Sequence, residues 1–532
     1  MDSLVQVAAA ICLIWSIVIV VVQTIGISAI FRYFSRPPSP SLSSRLGREA
    51  PLVTIVRPVK GLEPHLYECI ASTLRQDYPA DKISLRLCIE NETDAAYPIL
   101  TRLVQDFAAF DVEILLESQD AVFRGSCPSR ELGPNPKIRN VSRAYREAKG
   151  DIIWMIDCNV WVSRGVLGRM VDKLVGYSAQ GSMSKPYKFV HQMPLVVDIV
   201  PYPRWHALDT RPLLSPSSET GSEAESETCP PTTMGQRLRH MNQNGGGRLD
   251  EMFMATTHVK FYGAINSVGI APCIVGKSNM FRKSHLEQVT TASENPILKR
   301  NSTGATGIDY FSHNICEDHL IGDLLWRSHI ANHLNHGIVW GDLVVQPMAG
   351  MSIGAYAARR VRWLRARKFT VPVATLVEPG VESFLCCAYF AFSLTSLSWF
   401  HSWLAIPQTW GAMGLIWLMS VTIWMCVDWV TFQLLHTGQT MQVDDQTPAF
   451  ARGTGRSGGM PRRSFPEWIM AWLGREMMAL PIWTWAVLLG TTVTWRGKKF
   501  RVRLDMSVVQ VAGATNTAQA EGVARLSKDR QD

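Results

Sequence analysis

Several familiar signatures are missing from this sequence of 532 residues. Its eleven cysteines form no pair of Cys-x-x-Cys motifs and their number is odd, which indicates neither a zinc site nor a full disulfide framework. No glycine-rich nucleotide-binding fingerprint occurs between residues 51 and 372. Gly276-Lys277-Ser278 looks like the end of a P-loop, but Ala271 stands where that loop needs its first glycine. We therefore set that tripeptide aside as a nucleotide-binding signal.

Charge is also scarce, because only 18% of the residues are charged while 47% are hydrophobic. That balance is too apolar for an ordinary soluble protein and too charged for a chain made mainly of membrane spans, so it predicts a membrane enzyme. The net charge of +8 comes mostly from basic residues beside apolar segments. Anionic lipid headgroups, rather than nucleic acid, are the partner that this pattern indicates.

The first long apolar run, Val5 to Phe31, has no basic residue before it. It exceeds the ~20 residues that span a bilayer and is too long for a cleaved signal peptide, so residues 1–32 are predicted to form a signal-anchor helix. The proline-rich residues 33–50 are predicted to be a stiff linker. Because several arginines follow the run, the positive-inside rule puts the main domain in the cytosol. These arginines are Arg32, Arg36, Arg45 and Arg48.

Residues 51–372 alternate short apolar runs with amphipathic stretches, a pattern typical of an α/β domain with a mostly parallel sheet. The predicted strands are Leu52–Val56, Leu85–Ile89, Val112–Leu116 and Ile152–Ile156. The predicted helices are Pro64–Leu74, Tyr97–Phe107 and Ile138–Lys149. Thr210 to Arg248 is rich in Ser, Glu, Pro and Gly, so residues 210–248 are predicted to be a disordered insertion, with the fold resuming near Asp250.

Three further apolar segments follow this domain, at about Phe384–Ile406, Trp410–Leu435 and Trp468–Val493. We predict two transmembrane helices over 384–435, a flexible loop over 436–465, an interfacial or transmembrane segment over 466–495, and a tail over 496–532 that is first basic and then disordered. Arg475-Glu476 would cost roughly 2.5 to 3.5 kcal/mol per charge at the bilayer centre, which favours a shallow helix beginning near Met477. Four full crossings would leave the basic tail outside, against the positive-inside rule, so the number of crossings stays open.

Acidic residues at predicted strand ends suggest a nucleotide held through a divalent cation. Asp157 directly follows the strand Ile152–Ile156, and Asp94 comes shortly after the strand Leu85–Ile89. Ligands bind in the crevice beyond the carboxyl ends of parallel strands, and Mg²⁺ or Mn²⁺ there takes one or two carboxylates plus substrate phosphates. An isolated aspartate at such a place is equally typical of a turn or a helix cap.

Two further groups of residues could contribute to chemistry. Glu317-Asp318 precedes an apolar helical pattern, where an acid can be a general base for a hydroxyl or simply a partner of the helix dipole. Arg359-Arg360-Val361-Arg362-Trp363 could bind phosphate bidentately, or anchor the chain at a membrane surface.

Taken in order, these residues resemble the inverting glycosyltransferases whose pattern is D, D, D and then Q/R-x-x-R-W. Asp94, Asp157, Asp318 and Arg359-x-x-Arg362-Trp363 match that pattern. Further landmarks narrow the resemblance to the ceramide glucosyltransferase family, and the insertion at 210–248 indicates a fungal-type member. These landmarks are Arg57-Pro58-Val59-Lys60-Gly61, Gly133 to Asn140, His258, Glu317-Asp318, Arg475-Glu476 and Trp495-Arg496.

The resemblance implies a glycosyltransferase A fold, with transfer of glucose from UDP-glucose to the primary hydroxyl of ceramide with inversion. Carried over position by position, Asp94 would hold the uridine side, Asp157 the metal and diphosphate, and Asp318 would be the general base. Arg362 and Trp363 would bind diphosphate or line the acceptor site, with His258 near the acceptor. The family also implies a Golgi or ER membrane with the catalytic domain facing the cytosol, and Mg²⁺ or Mn²⁺ as cofactor.

Three alternatives remain open. A polysaccharide synthase of the chitin or hyaluronan type shares the acids and the R-x-x-R-W pattern, although four apolar segments are few for a polymer channel. An inactive membrane scaffold could have the same fold. The domain could also face the lumen, where the sequons at Asn91, Asn140 and Asn301 would be open to glycosylation.

Overall fold

The computed structural model describes residues 2–123, 132–178, 183–199, 239, 241–298, 304–495 and 498–511. Within them, a seven-stranded sheet is flanked by helices, long apolar helices pack against one end of this domain, and a small sheet follows near the C-terminus.

The large sheet has the strand order β3-β2-β1-β4-β6-β5-β7. Neighbouring strands are parallel except for β6, which runs antiparallel to both β4 and β5. The predicted mostly parallel sheet is therefore confirmed, and the first four strands lie within one or two residues of their predicted positions, whereas β5 to β7 were not predicted. The strands are β1 Val53–Pro58, β2 Ile83–Ile89, β3 Asp111–Leu116, β4 Ile152–Ile156, β5 Tyr187–Asp198, β6 Ser278–Arg282 and β7 Leu334–Met348.

Helices cover both faces of this sheet, so that β1, β2 and β4 are buried along their whole length. Only β4 is apolar throughout, since Thr54 and Arg57 of β1 and Ser84 and Arg86 of β2 are buried polar residues. A π-helical turn, Met254–His258, joins α6 to α7. The helices of this domain are α2 Leu66–Ala71, α3 Tyr97–Asp106, α4 Pro136–Arg146, α5 Val166–Val175, α6 Gly246–Phe253, α7 Val259–Val268, α8 Lys283–Thr290, α9 Glu317–Arg327 and α10 Ile353–Arg367.

Helix α6 begins inside the segment that we predicted to be a disordered insertion. Residues 210–238 of that segment lie outside the described residues, but 241–248 are largely helical, so the fold resumes before Asp250. The glycine run permits close packing here, because a Cβ on Gly246 would lie 2.1 Å from the carbonyl oxygen of Ser352. Gly247 similarly approaches Asp198, to which a Cβ would come within 2.8 Å. Composition alone could not distinguish these packing glycines from linker glycines.

Two helices are long and apolar enough to cross a membrane, within Ser3–Phe34 and at Trp410–His436. A third span is possible if Pro372–Val381 and Ser383–Ser396, which meet at a bend of 71°, count as one. The helices outside the sheet domain are α1 Asp2–Phe34, α11 Pro372–Val377, α12 Ser383–Ser396, α13 Ser398–Leu404, α14 Trp410–His436 and α15 Phe465–Trp483, and a 3₁₀ turn, Glu378–Val381, separates α11 from α12.

The third apolar segment differs from the prediction, because α15 begins at Phe465 rather than near Met477. Arg475 does not interrupt it, since its guanidinium contacts Glu382 at 2.5 Å and also pairs with Glu476. A buried charge that is paired in this way costs far less than an isolated one. The helix therefore continues through the dipeptide.

The basic residues after the last helix form a three-stranded antiparallel sheet made of β8 Thr492–Trp495, β9 Lys498–Val502 and β10 Val508–Gln510. Phe500, on β9, is fully buried. The backbone N–H of Val508, on β10, donates to the carbonyl of His313 at 2.8 Å. The predicted tail over 496–532 thus forms regular structure up to residue 510, and the residues after 511 lie outside the described part of the chain.

Helix α1 packs directly on α7 of the sheet domain through two glycines. A Cβ on Gly26 would lie 1.9 Å from the carbonyl oxygen of Lys260, and one on Gly263 would lie 3.4 Å from the carbonyl oxygen of Gly26. The N-terminal helix is therefore fitted to the sheet domain rather than tethered to it by a linker alone.

We expect Gly26→Leu to lower the stability of the protein, because the contact at this position is with backbone, which cannot rotate away as a side chain can. Overpacking of this kind costs about 1 to 3 kcal/mol. Thermal unfolding of the purified protein in detergent measures it. Gly414→Leu is the matched control, since a Cβ on this helical glycine would meet nothing within 4 Å. Equal unfolding temperatures for the two variants would contradict this packing.

Candidate active site

The carboxyl end of β4 presents Asp157, and two backbone contacts fix the loop that carries it. The fully buried Arg57, at the end of β1, donates to the carbonyl of Asp157 at 2.6 Å. The backbone N–H of Asp157 donates to the carbonyl of Lys277, just before β6, at 3.0 Å. The Asp157 side chain remains 26% exposed, so it can reach a ligand.

Two lysines neutralise the Asp157 carboxylate. Lys137, from the first turn of α4, lies 3.5 Å from one oxygen, and Lys277 lies 3.0 Å from the other. Burial alone would raise the pKa of Asp157, but the two ammonium groups outweigh it and lower that pKa to about 2. Asp157 is therefore ionised at any physiological pH.

Lys137 also joins Asp157 to the start of α9, because its ammonium lies 3.0 Å from Glu317. Asn135 caps α4 by accepting from the backbone N–H groups of Lys137 and Ile138, while its amide nitrogen donates to Glu317 at 3.2 Å. A single segment of α4 thus holds both acidic elements in place.

Asp318 lies opposite Asp157, in the first turn of α9, after Cys316 with a positive φ of 71°. Burial and the neighbouring carboxylate of Glu317 raise the pKa of Asp318 to about 6, against the opposing effect of Lys137. Among the residues that the structure describes, no side chain or backbone group of another residue forms a hydrogen bond or ion pair with its carboxylate. Asp318 is thus the acid here that remains available to accept a proton.

Asp157 and Asp318 line one pocket of about 330 Å³, with Lys137 between them and Phe189 and Phe281 in its apolar wall. Gly276 also lines it, and a Cβ there would lie 2.4 Å from Asp318 Oδ2. Glycine at this position therefore leaves room for the Asp318 carboxylate. We refer to this space as the carboxylate pocket.

Asp94 follows β2 at the carboxyl-terminal end of the strands, but it does not line the carboxylate pocket. Its Oδ1 accepts from the backbone N–H groups of Gly61 at 2.9 Å and Ala96 at 3.0 Å, and Lys60 lies 3.7 Å from its Oδ2. The contact with Gly61 joins the ends of β2 and β1, directly beside β4. Asp94 therefore has the turn-forming role that we considered, in a position beside the same crevice.

His258, Arg362 and Trp363 do not line the carboxylate pocket either. Trp363 lies under the guanidinium groups of Arg359, at 4.7 Å, and Arg360, at 5.7 Å. Arg362 makes no hydrogen bond or ion pair within the described ranges, so its charge is available to a ligand.

His258 ends the π-helical turn and stacks on Tyr262 at 5.3 Å between ring centroids. Burial, followed by the charges of Arg360 and Arg367, lowers the pKa of His258 to about 3. Its Nδ1 is buried without a hydrogen-bond partner in the described structure. His258 is thus a neutral imidazole with one nitrogen free.

The donor set around Asp157 fits a divalent cation only when ligand phosphates complete the coordination. Over the described residues, no group of three or more His, Cys, Asp and Glu side chains could hold a metal ion. One hard carboxylate, partly exposed and facing a pocket, matches the usual binding of Mg²⁺ through one or two carboxylates plus substrate phosphates.

Neither Lys137 nor Lys277 was predicted from the sequence as a site residue. Lys137 stands in the landmark segment Gly133 to Asn140, but its partners Asp157 and Glu317 lie 20 and 180 residues further along the sequence. Lys277 belongs to the tripeptide that we rejected as a P-loop; the tripeptide is no P-loop, yet both Gly276 and Lys277 line or contact the site. A basic residue just before a strand that pairs with β4 was the signal that could have found Lys277.

The profile of glycosyl transferase family 21 matches residues 8–198 and 236–508 of this sequence. The chain belongs to this family. The stretch that the profile skips overlaps the predicted insertion at 210–248, and the resemblance found in the sequence is confirmed.

Family 21 relatives with high similarity are fungal ceramide glucosyltransferases. The enzyme of Pyricularia oryzae is 52% identical over 522 residues, covering 97% of each chain. That of Gibberella zeae is 50% identical over 509 residues, covering 96% of this chain and 94% of the relative. That of Candida albicans is 32% identical over 500 residues.

Similarity to solved structures is weak by comparison. A mannosyltransferase from Pyrobaculum calidifontis in complex with GDP-Man and Mn²⁺ is 13% identical, with 81% of this chain and 98% of that chain covered. Its TM-score of 0.35 is too low to support any conclusion about this family 21 chain.

We expect Lys137→Met to lower glycosyl transfer by about 10²-fold, the usual effect of removing a group that stabilises developing charge. Because Lys137 lowers the pKa of Asp318, its loss should also move the acid limb of the pH profile to higher pH. Lys137→Arg should restore part of the rate and most of the profile. Lys149→Met, which removes a lysine that is 55% exposed, is the control. An acid limb that stays in place would contradict this coupling.

Proposed function

We propose that this chain transfers glucose from UDP-glucose to the primary hydroxyl of ceramide with inversion of configuration. The observation that carries the proposal is the contrast across the carboxylate pocket: Asp157 is ionised and paired with lysines, whereas Asp318 is unpaired with a pKa raised to about 6. Two titratable groups with pKa values pushed apart are typical of an acid–base site. The fungal relatives supply the identity of the acceptor and of the sugar.

Asp318 acts as the general base in this mechanism. Its carboxylate accepts the proton of the acceptor hydroxyl as the hydroxyl oxygen forms a bond to the anomeric carbon. The bond from that carbon to the β-phosphate oxygen breaks, and its electron pair leaves with UDP. A single attack from the face opposite the diphosphate inverts the anomeric centre.

The groups around Asp157 hold the donor. Lys137 and Lys277 offset the charge that develops on the departing diphosphate. Arg362, which does not line the carboxylate pocket and has no partner among the described residues, would add a further positive charge to the diphosphate. Asp94 lies at the adjacent strand ends, where the uridine side of the donor would extend. A bound Mg²⁺ or Mn²⁺ at Asp157 would add Lewis-acid neutralisation of the diphosphate.

Trp363 and His258 are assigned to the acceptor side. The His258 ring lies against Phe253, and Trp363 packs against the buried cluster that contains Phe253. Both lie on the side of the domain where the long apolar helices pack. A neutral imidazole with a free Nδ1 can form a hydrogen bond to a hydroxyl without carrying a charge.

The contacts at the helix ends support three membrane crossings. Gln6, near the start of α1, donates to the carbonyl of Ser396 at the end of α12 at 2.6 Å. The opposite ends contact the sheet domain, through Tyr33 of α1 on Trp340, Glu382 before α12 on Thr257, and His436 of α14 beside Glu251. Helix α1, the bent pair of α11 and α12, and helix α14 would then cross, and α15 would stay on the domain side.

Three crossings leave the basic C-terminal sheet beside the sheet domain. With the domain in the cytosol of a Golgi or ER membrane, this arrangement agrees with the positive-inside rule, which four crossings would not. Ser507 forms a backbone bridge with Asn314, only four residues before Asp318.

We expect Asp318→Asn to lower transfer to a short-chain ceramide by at least about 10²-fold, as loss of a general base predicts. UDP binding should be retained, since the amide keeps the shape of the pocket. The wild-type rate should rise with pH through about 6 as Asp318 loses its proton. Asp323→Asn, on the same helix and paired with Arg327, is the matched control.

Two results would overturn the proposed reaction. A polymer formed from UDP-sugar, with no lipid product, would favour the polysaccharide synthase. UDP binding without any turnover by the wild-type protein would favour an inactive scaffold.

Protease treatment of sealed microsomes tests the topology separately. A tag after residue 511 should be digested without detergent, while a tag at the N-terminus should be digested only after detergent is added. A protected C-terminal tag would rule out three crossings. Glycosylation at Asn91 would place the whole domain in the lumen.

A further inference from the structure

The C-terminal sheet has one apolar face and one basic face. Successive side chains of a strand point to opposite faces, so on β9 the fully buried Phe500 points inward while the exposed Lys499 and Arg501 point outward. Arg503 continues this outward series and is also exposed, because its backbone N–H donates to the carbonyl of Ser507 and extends the pairing of β9 with β10. We call Lys499, Arg501 and Arg503 the basic face.

Little negative charge is available near the basic face. Its three side chains form no ion pair within the described ranges, and Asp505 is the only acid between residues 492 and 511. The Asp505 carboxylate already accepts from the hydroxyl of Ser507 at 2.6 Å and from its backbone N–H at 3.0 Å. The side chains of residues 512–532 include three acids and three bases, so they add no net opposite charge. The basic face can therefore attract an anionic partner.

Exposed apolar side chains come directly before this sheet in the chain. The π-helical turn Thr484–Leu488 follows α15, and Trp485 and Leu489 in and after it are 59% and 63% exposed. Arg365, on α10, ties this turn to the sheet, because its guanidinium donates to the carbonyl of Trp485 at 3.2 Å and to that of Thr492, on β8, at 2.7 Å. The apolar turn and the basic sheet are thus held together as one surface.

A membrane surface fits both features of this region. Exposed apolar groups with a tryptophan, followed by cations, are typical of segments at the boundary between lipid tails and headgroups. The turn continues α15, which packs on the candidate membrane span α14 through the rings of Trp468 and Trp429, 5.0 Å apart. A nucleic acid or an acidic protein would match the cations but would leave the apolar turn uncovered. Anionic phospholipid matches both.

The apolar face of the same sheet packs on the segment that carries Asp318. Ile315, three residues before Asp318, belongs to the buried cluster that contains Phe500. The side-chain amide of Asn314 donates to the carbonyl of Met506, between β9 and β10, at 3.2 Å. The basic face and the candidate general base therefore lie on two sides of one thin sheet.

Asn135 holds the other side of this segment. Its side-chain amide donates to the carbonyl of Asn314 at 2.6 Å, and its backbone N–H donates to the carbonyl of Ser312 at 3.0 Å. Cys316 then leads into α9 with a positive φ of 71°, a conformation that costs a non-glycine residue free energy and persists only where its surroundings hold it. The position of Asp318 thus depends on contacts on both sides of residues 312–316.

We propose that the basic face binds anionic phospholipid headgroups of the membrane that holds this chain, and that this contact steadies the segment carrying Asp318. Anionic lipid then raises the rate of transfer without being donor or acceptor. The lipid contact is independent of the proposed function, whereas its effect on glucosyl transfer rests on that function.

The triple variant Lys499→Gln, Arg501→Gln, Arg503→Gln tests the contact in the full-length protein in lipid nanodiscs. For the wild type, we expect discs with about 30% phosphatidylserine to raise kcat about 5-fold over discs of phosphatidylcholine alone, the lower end of usual coupling between two sites. The triple variant should match the wild type in neutral discs and lose most of this rise. No rise in the wild type, or an equal rise in the variant, would overturn the proposal.

A second triple variant, Lys82→Gln, Lys149→Gln, Lys185→Gln, is the matched control. It removes the same charge just before β2, β4 and β5, at the amino-terminal ends of these parallel strands and so at the sheet edge opposite to Asp157. This variant should keep the full rise, and high salt should weaken the rise in the wild type. A rise that both triple variants lose would show that net charge responds rather than the basic face, and would overturn the assignment.

Hydrogen exchange separates failure of this proposal from failure of the proposed reaction. Anionic discs should slow the exchange of backbone N–H groups in residues 498–510 and 312–318 of the wild type, but not of the basic-face variant. Slower exchange without glucosyl transfer in any disc would retain the lipid contact and overturn the reaction. Transfer with no effect of anionic lipid on exchange would retain the reaction and overturn the lipid contact.

The same measurement tests one other occupant, the acidic stretch of the insertion. Slow exchange of residues 498–510 that is already present in neutral discs, and that is lost when the four glutamates of this stretch are replaced by glutamine, would assign the basic face to it and overturn the lipid contact. These glutamates are Glu219, Glu223, Glu225 and Glu227.

Discussion

The ammonium group of Lys137 is the contact on which the rest of the site depends. It lies between Asp157 at the end of β4 and Glu317 at the start of α9, and it is only 13% exposed. Without this cation, Asp157 and Asp318 would face one pocket with the carboxylate of Glu317 beside them, and like charges this close cannot all stay ionised. A buried lysine is in turn tolerated only because acids surround it. Lys137 and Lys277 thus keep Asp157 ionised, whereas burial and the carboxylate of Glu317 raise the pKa of Asp318 despite Lys137. This difference is what an acid–base reaction needs.

The same kind of contact joins the sheet domain to the apolar helices. Lys260, on α7, lies 2.5 Å from Asp428 on α14, and both side chains are fully buried. Trp472 of α15 donates to the other oxygen of Asp428 at 2.9 Å, so three helices meet at one carboxylate. Gly26 of α1 packs on the backbone at Lys260 itself. The position of the sheet domain relative to the long apolar helices is thus fixed by packing and by paired charges rather than by a flexible linker.

Local pattern was enough to predict the first half of the sheet, because β4 is a continuous apolar run and β1 and β2 are mostly apolar, with clear breaks between them. It was not enough for β6, which runs antiparallel and is reached only after the chain has left the sheet and returned. Asp157 and Asp318 were found because acids at strand ends and helix starts follow general rules. Lys137 and Lys277 were missed because the role of each lysine depends on a carboxylate that is distant in sequence. Lys137 pairs with Glu317 and Lys277 pairs with Asp157, each more than one hundred residues away.

Arg475-Glu476 shows the same limit. Read alone, the dipeptide predicted that the helix would start after it, whereas Glu382, 93 residues earlier in the sequence, neutralises Arg475 inside the folded protein. Satisfying that charge requires α15 to lie against the bend before α12. The ion pair therefore fixes where a charged helix packs beside the long apolar helices, because its charges have partners inside the folded protein.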